Sequence, residues 1–266
     1  MDYRLSPGKL QLYQSCPRAY YCRYELGMKS PTRFGSAALG TALHKALAQI
    51  YGEWHYQEPL PPLEWIHSCW QDEASELSEA QTEEGKGILE NYYRQFIANE
   101  KVMTRPVGIE GYIQGYLRTG GVELKLAGRY NRLDAVEDGL ELIDYKSGRR
   151  IQQPESGKLD LQLGVYYLAL EQQYQQPLKR LSLLYLRLGE KVCFEASIEH
   201  KEQVEEQVTE LALQMRADEQ WEPEPGAHCT RCAYARYCPA VQEEPEPLPE
   251  CDRAPVAVGV GVLRVL

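Results

Sequence analysis

Between residues 107 and 147 apolar and polar positions alternate, interrupted by glycines, and this predicts consecutive antiparallel strands over 107–118, 122–136 and 139–147. Asp138-Gly139 is a two-residue hairpin signal between the last two. Upstream the period is helical. Leu39, Leu43, Ala46, Leu47 and Ile50 recur at three- and four-residue spacing, so 40–51 reads as a helix. PLPP at 59–62 breaks the chain, and two polar helices are expected over 63–78 and 82–99. At the start, Ser6-Pro7 reads as an N-cap followed by proline at the first helical position, with a helix through Lys9–Ser15 that stops near Cys16-Pro17. Beyond the strands come a helix over 158–175, strands over 178–188 and 191–197 turning at Gly189, and an amphipathic helix over 199–217. The chain is proline-rich after Glu219, cysteine-bearing at 229–238, and past 240 acidic and then apolar.

Composition adds bounds. With 266 residues, 43% hydrophobic and 26% charged, the chain can bury an ordinary core in one large domain or two small ones. Tyrosine outnumbers phenylalanine 19 to 3, which suits half-buried strands and equally suits surfaces on which bases stack. The net charge of −10 argues against a general nucleic-acid coat. Yet residues 1–33 carry six basic groups against two acids, while 71–90 carries seven acids and one lysine. The N-terminus, MDYRLSPGKL, lacks the apolar core of a signal peptide, and no run of 18 apolar residues occurs, so no membrane span is expected. Eight cysteines in that context point to reduced thiols or metal ligation in the cytoplasm. No G-x4-G-K-[ST] phosphate loop is present, so the sequence encodes no ATP motor.

The chemistry concentrates in ELIDYKSG. Residues two apart on a strand face the same side, so Asp144 and Lys146 point together. A carboxylate there holds a divalent cation, and the lysine orients a water or neutralises developing phosphorane charge. A strand-end salt bridge is the plainer account of an isolated D-x-K. The neighbouring strand carries Gly128-Arg129-Tyr130-Asn131, the early helix carries Gly40 and His44, and Gln162 and Tyr166 stand four apart on the following helix, sharing one face. Together these resemble the RecB-like branch of the PD-(D/E)xK nucleases. In that branch a G-x-x-D strand and a D-x-K strand supply two metal-binding aspartates and a lysine. The resemblance makes His44 a further metal ligand, makes Gln162 and Tyr166 a pair that contacts DNA and steadies the lysine, and makes Glu110 an acid joining the metal site. Asn131 stands where the family has aspartate. Asp134 lies three residues on, hence on the opposite strand face.

Cys229, Cys232 and Cys238 form C-x2-C-x5-C, whose first pair is spaced to let two thiolates meet one centre. A fourth ligand is needed, and Cys16 near the N-terminus is the natural candidate. Spacing alone favours a structural zinc site of these four cysteines, or one in which His228 replaces one of them. One early cysteine plus a late triplet also resembles the iron–sulfur subset of the same nucleases, the AddB-type domains and CRISPR-associated exonucleases. That resemblance implies a 4Fe-4S cluster clipping the N-terminal segment to the end of the domain. Cys22, Cys69, Cys193 and Cys251 read as ordinary thiols. Closing a loop of more than 200 residues in this way stabilises in principle.

The expected architecture is therefore α/β, an α+β restriction-endonuclease-like fold. A central mixed sheet of about five strands has helices on both faces, with a helical insertion over about 52–105. Residues 1–240 form the nuclease-like domain and 241–266 a tail. The expected activity is metal-dependent DNA hydrolysis of exonuclease type in repair or recombination. Mg²⁺ or Mn²⁺ would sit on Asp144, His44, the Tyr145 carbonyl and Glu110, with Asn131 in the altered position and Lys146 placing the water. Arg18, Tyr20, Arg231 and Arg236 would grip single-stranded or frayed DNA, with Tyr234 and Tyr237 beside them, and a separate helicase would feed it. Two rivals remain: a DNA-binding module of the same fold with impaired cleavage, and a zinc-stapled scaffold protein.

Overall fold

The computed structural model describes residues 4–29, 36–119, 122–151 and 159–249. It separates into two compact units, Met1–Arg4 with Arg33–Glu205, and Leu5–Thr32 with Glu206–Leu266.

In the first unit α3 (Ser36–Gly52) is followed by α4 (Leu63–Glu73) and α5 (Glu79–Phe96), the expected helical insertion. A capping box at Ser78 and Gln81 starts α5 and explains why it begins before residue 82. These helices bury Leu43, Leu47, Ile50, Ile66, Trp70 and Leu89 in one core together with Ile143 and Tyr145.

The strands form two sheets. A three-stranded sheet has the order β1 (Arg4–Leu5), β4 (Val122–Arg129), β3 (Tyr112–Thr119). The larger sheet has five strands in the order β2 (Gly108–Ile109), β5 (Arg132–Val136), β6 (Gly139–Lys146), β7 (Leu178–Tyr185), β8 (Glu190–Glu195). β6 and β7 are parallel and the other pairs antiparallel, so this is the mixed sheet of five that the sequence predicts. The helix α6 (Leu161–Tyr174) makes the parallel crossover between β6 and β7. Capped by Asp160, which accepts from the Gln162 and Leu163 amides, it also packs beneath β3 and β4.

Three sequence expectations change. The stretch 107–118 is not one strand but two, β2 and β3, in different sheets, parted at Glu110, which takes a left-handed φ of 46°. The stretch 122–136 is likewise two strands, β4 and β5, in different sheets. Tyr130, Asn131, Arg132 and Leu133 are all buried, which a pleated strand with one open face cannot accommodate; the chain leaves one sheet here and enters the other. The hairpin loop is Glu137-Asp138 rather than Asp138-Gly139. Val136 pairs with Gly139 in the ladder, and Asp138 takes the left-handed conformation at φ 64°.

The second unit holds α1 (Pro7–Ser15), α2 (Pro17–Tyr20), a wide turn over Tyr21–Glu25, and the cysteine segment. Ser6 caps α1 by accepting from the Lys9 amide, and Pro7 is its first residue, as expected. The helix α7 (Ile198–Ala217) begins in the first unit and continues into the second. No described helix is long and apolar enough to cross a membrane. The apolar end of the tail and Cys251 lie outside the described residues.

Candidate active site

Two glycines let the site assemble. A Cβ at Gly40 would stand 2.7 Å from the Ser147 hydroxyl, so glycine is what lets α3 approach the end of β6. His44 follows one turn later on the same helix face. A Cβ at Gly128 would stand 2.8 Å from the Tyr166 ring. Its absence lets Tyr166 of α6 lie against β4 and donate its hydroxyl to the Arg129 carbonyl at 2.7 Å.

Asp144 and Lys146 meet as expected, with Nζ 2.8 Å from Oδ2. Gln162 closes the pair into a ring. Its Oε1 accepts from the Lys146 ammonium at 3.0 Å and its Nε2 donates to Asp144 Oδ1 at 2.8 Å, with the Tyr166 hydroxyl 3.1 Å away. Burial raises the Asp144 carboxyl above its ordinary value, and the ammonium pulls it back only in part. Burial alone would lower Lys146, but the Asp144 carboxylate outweighs it and keeps the ammonium charged. Tyr166 is pushed up to about 12, first by burial and then by the Asp144 charge, so it acts as a neutral donor.

Asn131 takes part in three hydrogen bonds. Its Oδ1 accepts from the Tyr145 amide at 2.9 Å. Its Nδ2 donates to Glu110 Oε1 at 2.8 Å and lies 3.1 Å from His44 Nδ1. The Tyr145 amide can only donate, which fixes the side-chain flip and leaves Nδ1 of His44 as acceptor. Burial lowers the His44 pKa against the opposing pull of Glu110, so the imidazole is neutral at pH 7 and suited to accept. Arg129 holds the other Glu110 oxygen at 3.0 Å. An open cleft of about 880 Å³ is lined by Thr41, His44, Lys45, Glu110, Arg129 and Ser147, among others.

Behind the site Arg132 is buried. It donates to the Tyr92 and Tyr145 hydroxyls at 2.9 and 3.1 Å, pairs with Asp134 at 3.0 Å, and lies 4.2 Å from the centre of the Tyr51 ring. Asp134 therefore serves Arg132 and not the Asn131 position, in keeping with the opposite strand face. Sequence reasoning missed Asp160, a carboxylate within electrostatic reach of both Asp144 and Lys146; its signal was the N-cap position just before Gln162. It also missed Arg129, which stood inside the G-x-x-N motif.

In the second unit Cys16, Cys22 and Tyr234 share one buried cluster, against which Cys232 packs. The Cys22 thiol, raised to about 11 chiefly by burial, also feels Arg18, Cys232, Cys238 and Cys16. Cys232, raised by burial, feels Cys16, Cys238 and Cys229. The four expected cysteines are thus neighbours, and Cys22, read from sequence as an ordinary thiol, joins them. Its spacing from Cys16 repeats the x5 interval of Cys232 and Cys238, which was the available signal. Among the described residues no three His, Cys, Asp or Glu side chains converge closely enough to hold a single metal ion.

Of the residues expected to grip DNA, Tyr20 is corrected. It is fully buried, stacked on Trp221 at 5.6 Å, edge-on to Tyr13, and bonded through its hydroxyl to Glu25, so its faces are taken by the core. Arg18 is half-buried, with its Cζ 6.0 Å from the Tyr21 ring centre. Arg231 and Arg236 are exposed, the latter paired with Glu246 at 3.6 Å.

The PD-(D/E)XK nuclease superfamily model matches residues 4–239. The chain belongs to this superfamily. The mixed five-stranded sheet, with the D-x-K strand β6 beside the parallel crossover, is consistent with its restriction-endonuclease-like fold. Members of the superfamily are nucleases, which hydrolyse nucleic acid and typically use Mg²⁺ or Mn²⁺. Among solved structures, the crystal structure of SSO0001 is similar over 91% of this chain and 88% of that one, at 13% identity and a TM-score of 0.44. No curated protein matches the chain.

Proposed function

We propose that this chain is a metal-dependent deoxyribonuclease of exonuclease type that acts on single-stranded or frayed DNA ends in repair or recombination. The observation that carries this reading is the closed ring of Asp144, Lys146 and Gln162, flanked by His44 and Glu110 at an open cleft. Two carboxylates and a neutral imidazole are the donors a Mg²⁺ or Mn²⁺ ion takes. These three do not converge on one point in this structure, where the Asn131 amide bridges Glu110 and His44. With that amide displaced, Asp144, Glu110 and His44 would hold the ion, which would supply Lewis-acid stabilisation of the phosphate and a more acidic water. The chain's own part is positional. Lys146, fixed by Asp144 and Gln162, offers its one remaining proton to a phosphate oxygen or the attacking water. Tyr166 ties the Gln162 amide to the β4 backbone, and Arg129 adds positive charge at the cleft.

The test is cleavage of end-labelled single-stranded DNA with Mn²⁺ in the full chain and in Lys146→Ala. Cleavage that survives the substitution unchanged removes the assignment. A second reading, a DNA-binding module with impaired cleavage, draws on Asn131, whose amide nitrogen bridges Glu110 and His44, two of the groups an ion needs. That reading expects binding without cleavage, and cleavage recovered in Asn131→Asp.

The gathering of Cys16, Cys22, Cys229, Cys232 and Cys238 supports a cysteine-bound 4Fe-4S cluster as part of the same proposal, with tetrathiolate zinc as the rival. An anaerobic preparation that is colourless and contains zinc but no iron would decide for the rival. A cytoplasmic setting and a separate helicase partner complete the proposal; both rest on the free thiols and on the absence of a motor motif from the sequence.

A further inference from the structure

The β3–β4 hairpin has one buried face and one open face. Ile113, Leu117, Leu124 and Leu126 are buried, and a Cβ at Gly115 would meet Ala169 of α6. The opposite face carries Tyr112 and Tyr116, 73% and 43% exposed, although a tyrosine ring is a large apolar surface to leave in water. Each ring has a cation beside it. The register sets Tyr112 opposite Arg129 and Tyr116 opposite Lys125, with Arg129 Cζ 5.7 Å and Lys125 Nζ 5.9 Å from the ring centres. The next rung, Arg118 and Glu123, is an exposed ion pair at 2.7 Å, and Arg129 is paired with Glu110 at 3.0 Å, so the charge of this face that no ion pair among the described residues offsets is that of Lys125.

The outer edge of β3 is closed to another strand. Gln172 of α6 bonds the Tyr116 amide and carbonyl, and Gln173 bonds the Gln114 amide and the Tyr112 carbonyl. A partner must therefore meet the face of the hairpin, not its edge. Two aromatic surfaces interleaved with cations match the flat bases and the phosphate chain of a single strand. Four residues of strand separate the tyrosines by about 13 Å, roughly four nucleotides' rise in a stacked strand at about 3.4 Å each. Arg129 joins this face to the active site, because it also lines the cleft and holds Glu110.

We propose that the open face of β3–β4 is a single-stranded DNA platform. Tyr112 and Tyr116 stack on bases, Lys125 and Arg129 take phosphates, and the platform leads a strand into the cleft at Glu110 and His44. The proposal rests on the nuclease reading above and adds the surface on which that substrate lies.

The test is fluorescence anisotropy with a labelled oligothymidylate and a blunt duplex of equal length, in EDTA, using the full chain. Replacing each exposed tyrosine by alanine should weaken single-strand binding by roughly tenfold, with Tyr→Phe at both positions restoring it. Lys125→Ala should lower the slope of log affinity against log salt by about one. Equal melting temperatures of the variants and the parent exclude unfolding. Unchanged affinity in Tyr112→Ala/Tyr116→Ala overturns the proposal, as does an equal loss on the duplex or a parent chain that binds no oligothymidylate. Cleavage assayed in parallel separates the two readings. A Lys146→Ala variant that still cleaves removes the nuclease assignment and leaves the platform standing, whereas normal binding by the double alanine variant removes the platform alone.

Discussion

Replacing Asn131 by aspartate tests the site at its most informative atom. The amide nitrogen donates to Glu110 at 2.8 Å and lies 3.1 Å from the acceptor nitrogen of His44. Aspartate keeps the bond from the Tyr145 amide and turns the donor into a second carboxylate facing Glu110. At about 3 Å and an effective dielectric of about 20, two full charges repel by about 6 kcal/mol. The pair has a cheaper escape. Holding one proton at pH 7 on a carboxyl of ordinary pKa about 4.3 costs about 2.7 units, or roughly 4 kcal/mol. Proton uptake therefore sets the ceiling.

The expected result in EDTA is a loss of about 2–4 kcal/mol, read as a melting temperature lower by about 2–4 °C per kcal/mol. Mn²⁺ at a hundredfold excess over its dissociation constant should restore about 2.7 kcal/mol. The parent chain, with an amide proton already between Glu110 and His44, should respond less to Mn²⁺. Scanning fluorimetry of both proteins across a Mn²⁺ titration reads all of this. Equal melting in EDTA, or equal Mn²⁺ responses, would refute the argument that the Asn131 amide stands in the cation's place.

Other outcomes follow from single contacts. Gln162→Leu unlinks Lys146 from Asp144 and should cost about 10- to 100-fold in single-turnover cleavage with DNA affinity unchanged; a loss confined to affinity would reassign Gln162 to binding. Gly128→Ala drives a methyl into the Tyr166 ring and should destabilise by about 1–3 kcal/mol in urea, while Gly87→Ala, where a Cβ meets nothing within 4 Å, should be neutral or stabilising. Glu141 gives a pH dependence. Burial alone would raise its carboxyl, but Lys191 at 2.6 Å, the Ser182 hydroxyl at 2.6 Å and Arg180 at 3.8 Å hold it below the ordinary 4.5. A depressed folded pKa contributes stability above pH 4.5 that is lost as pH falls through the folded value. Urea melts should show Glu141→Gln less stable than the parent at pH 7, with the gap narrowing below pH 4.5; a gap independent of pH would remove the ionic account.

Elements with one dry face were legible because a dry face prints its period on the sequence. Helix α3 shows it in Leu39, Leu43 and Leu47 and strand β3 in Ile113, Gly115 and Leu117, all on buried faces. Legibility failed where the chain crosses from one sheet to the other. Tyr130–Leu133 carries polar letters and is buried throughout, because Asn131 and Arg132 bury their polar atoms against partners remote in sequence. The same remoteness hid Cys22, whose neighbours Cys232 and Cys238 stand over 200 residues away, and it made Tyr20 look like an open aromatic when Trp221 covers it.

The D-x-K strand could be read because its two side chains lie two residues apart and meet by strand geometry alone. Asn131 could not be read that way. Its letter reports a lost carboxylate, and only the folded chain shows that the amide nitrogen is aimed between Glu110 and His44 while its oxygen is engaged by Tyr145. A missing charge and a filled position have different consequences. The first leaves a weak metal site that a higher ion concentration rescues. The second requires the Asn131 amide to be displaced before an ion can take Glu110 and His44 together. Melting of the Asn131→Asp variant in EDTA separates them, because losing an amide that bridges Glu110 and His44 destabilises the chain with no ion present, whereas a merely vacant site has no such bonds to lose.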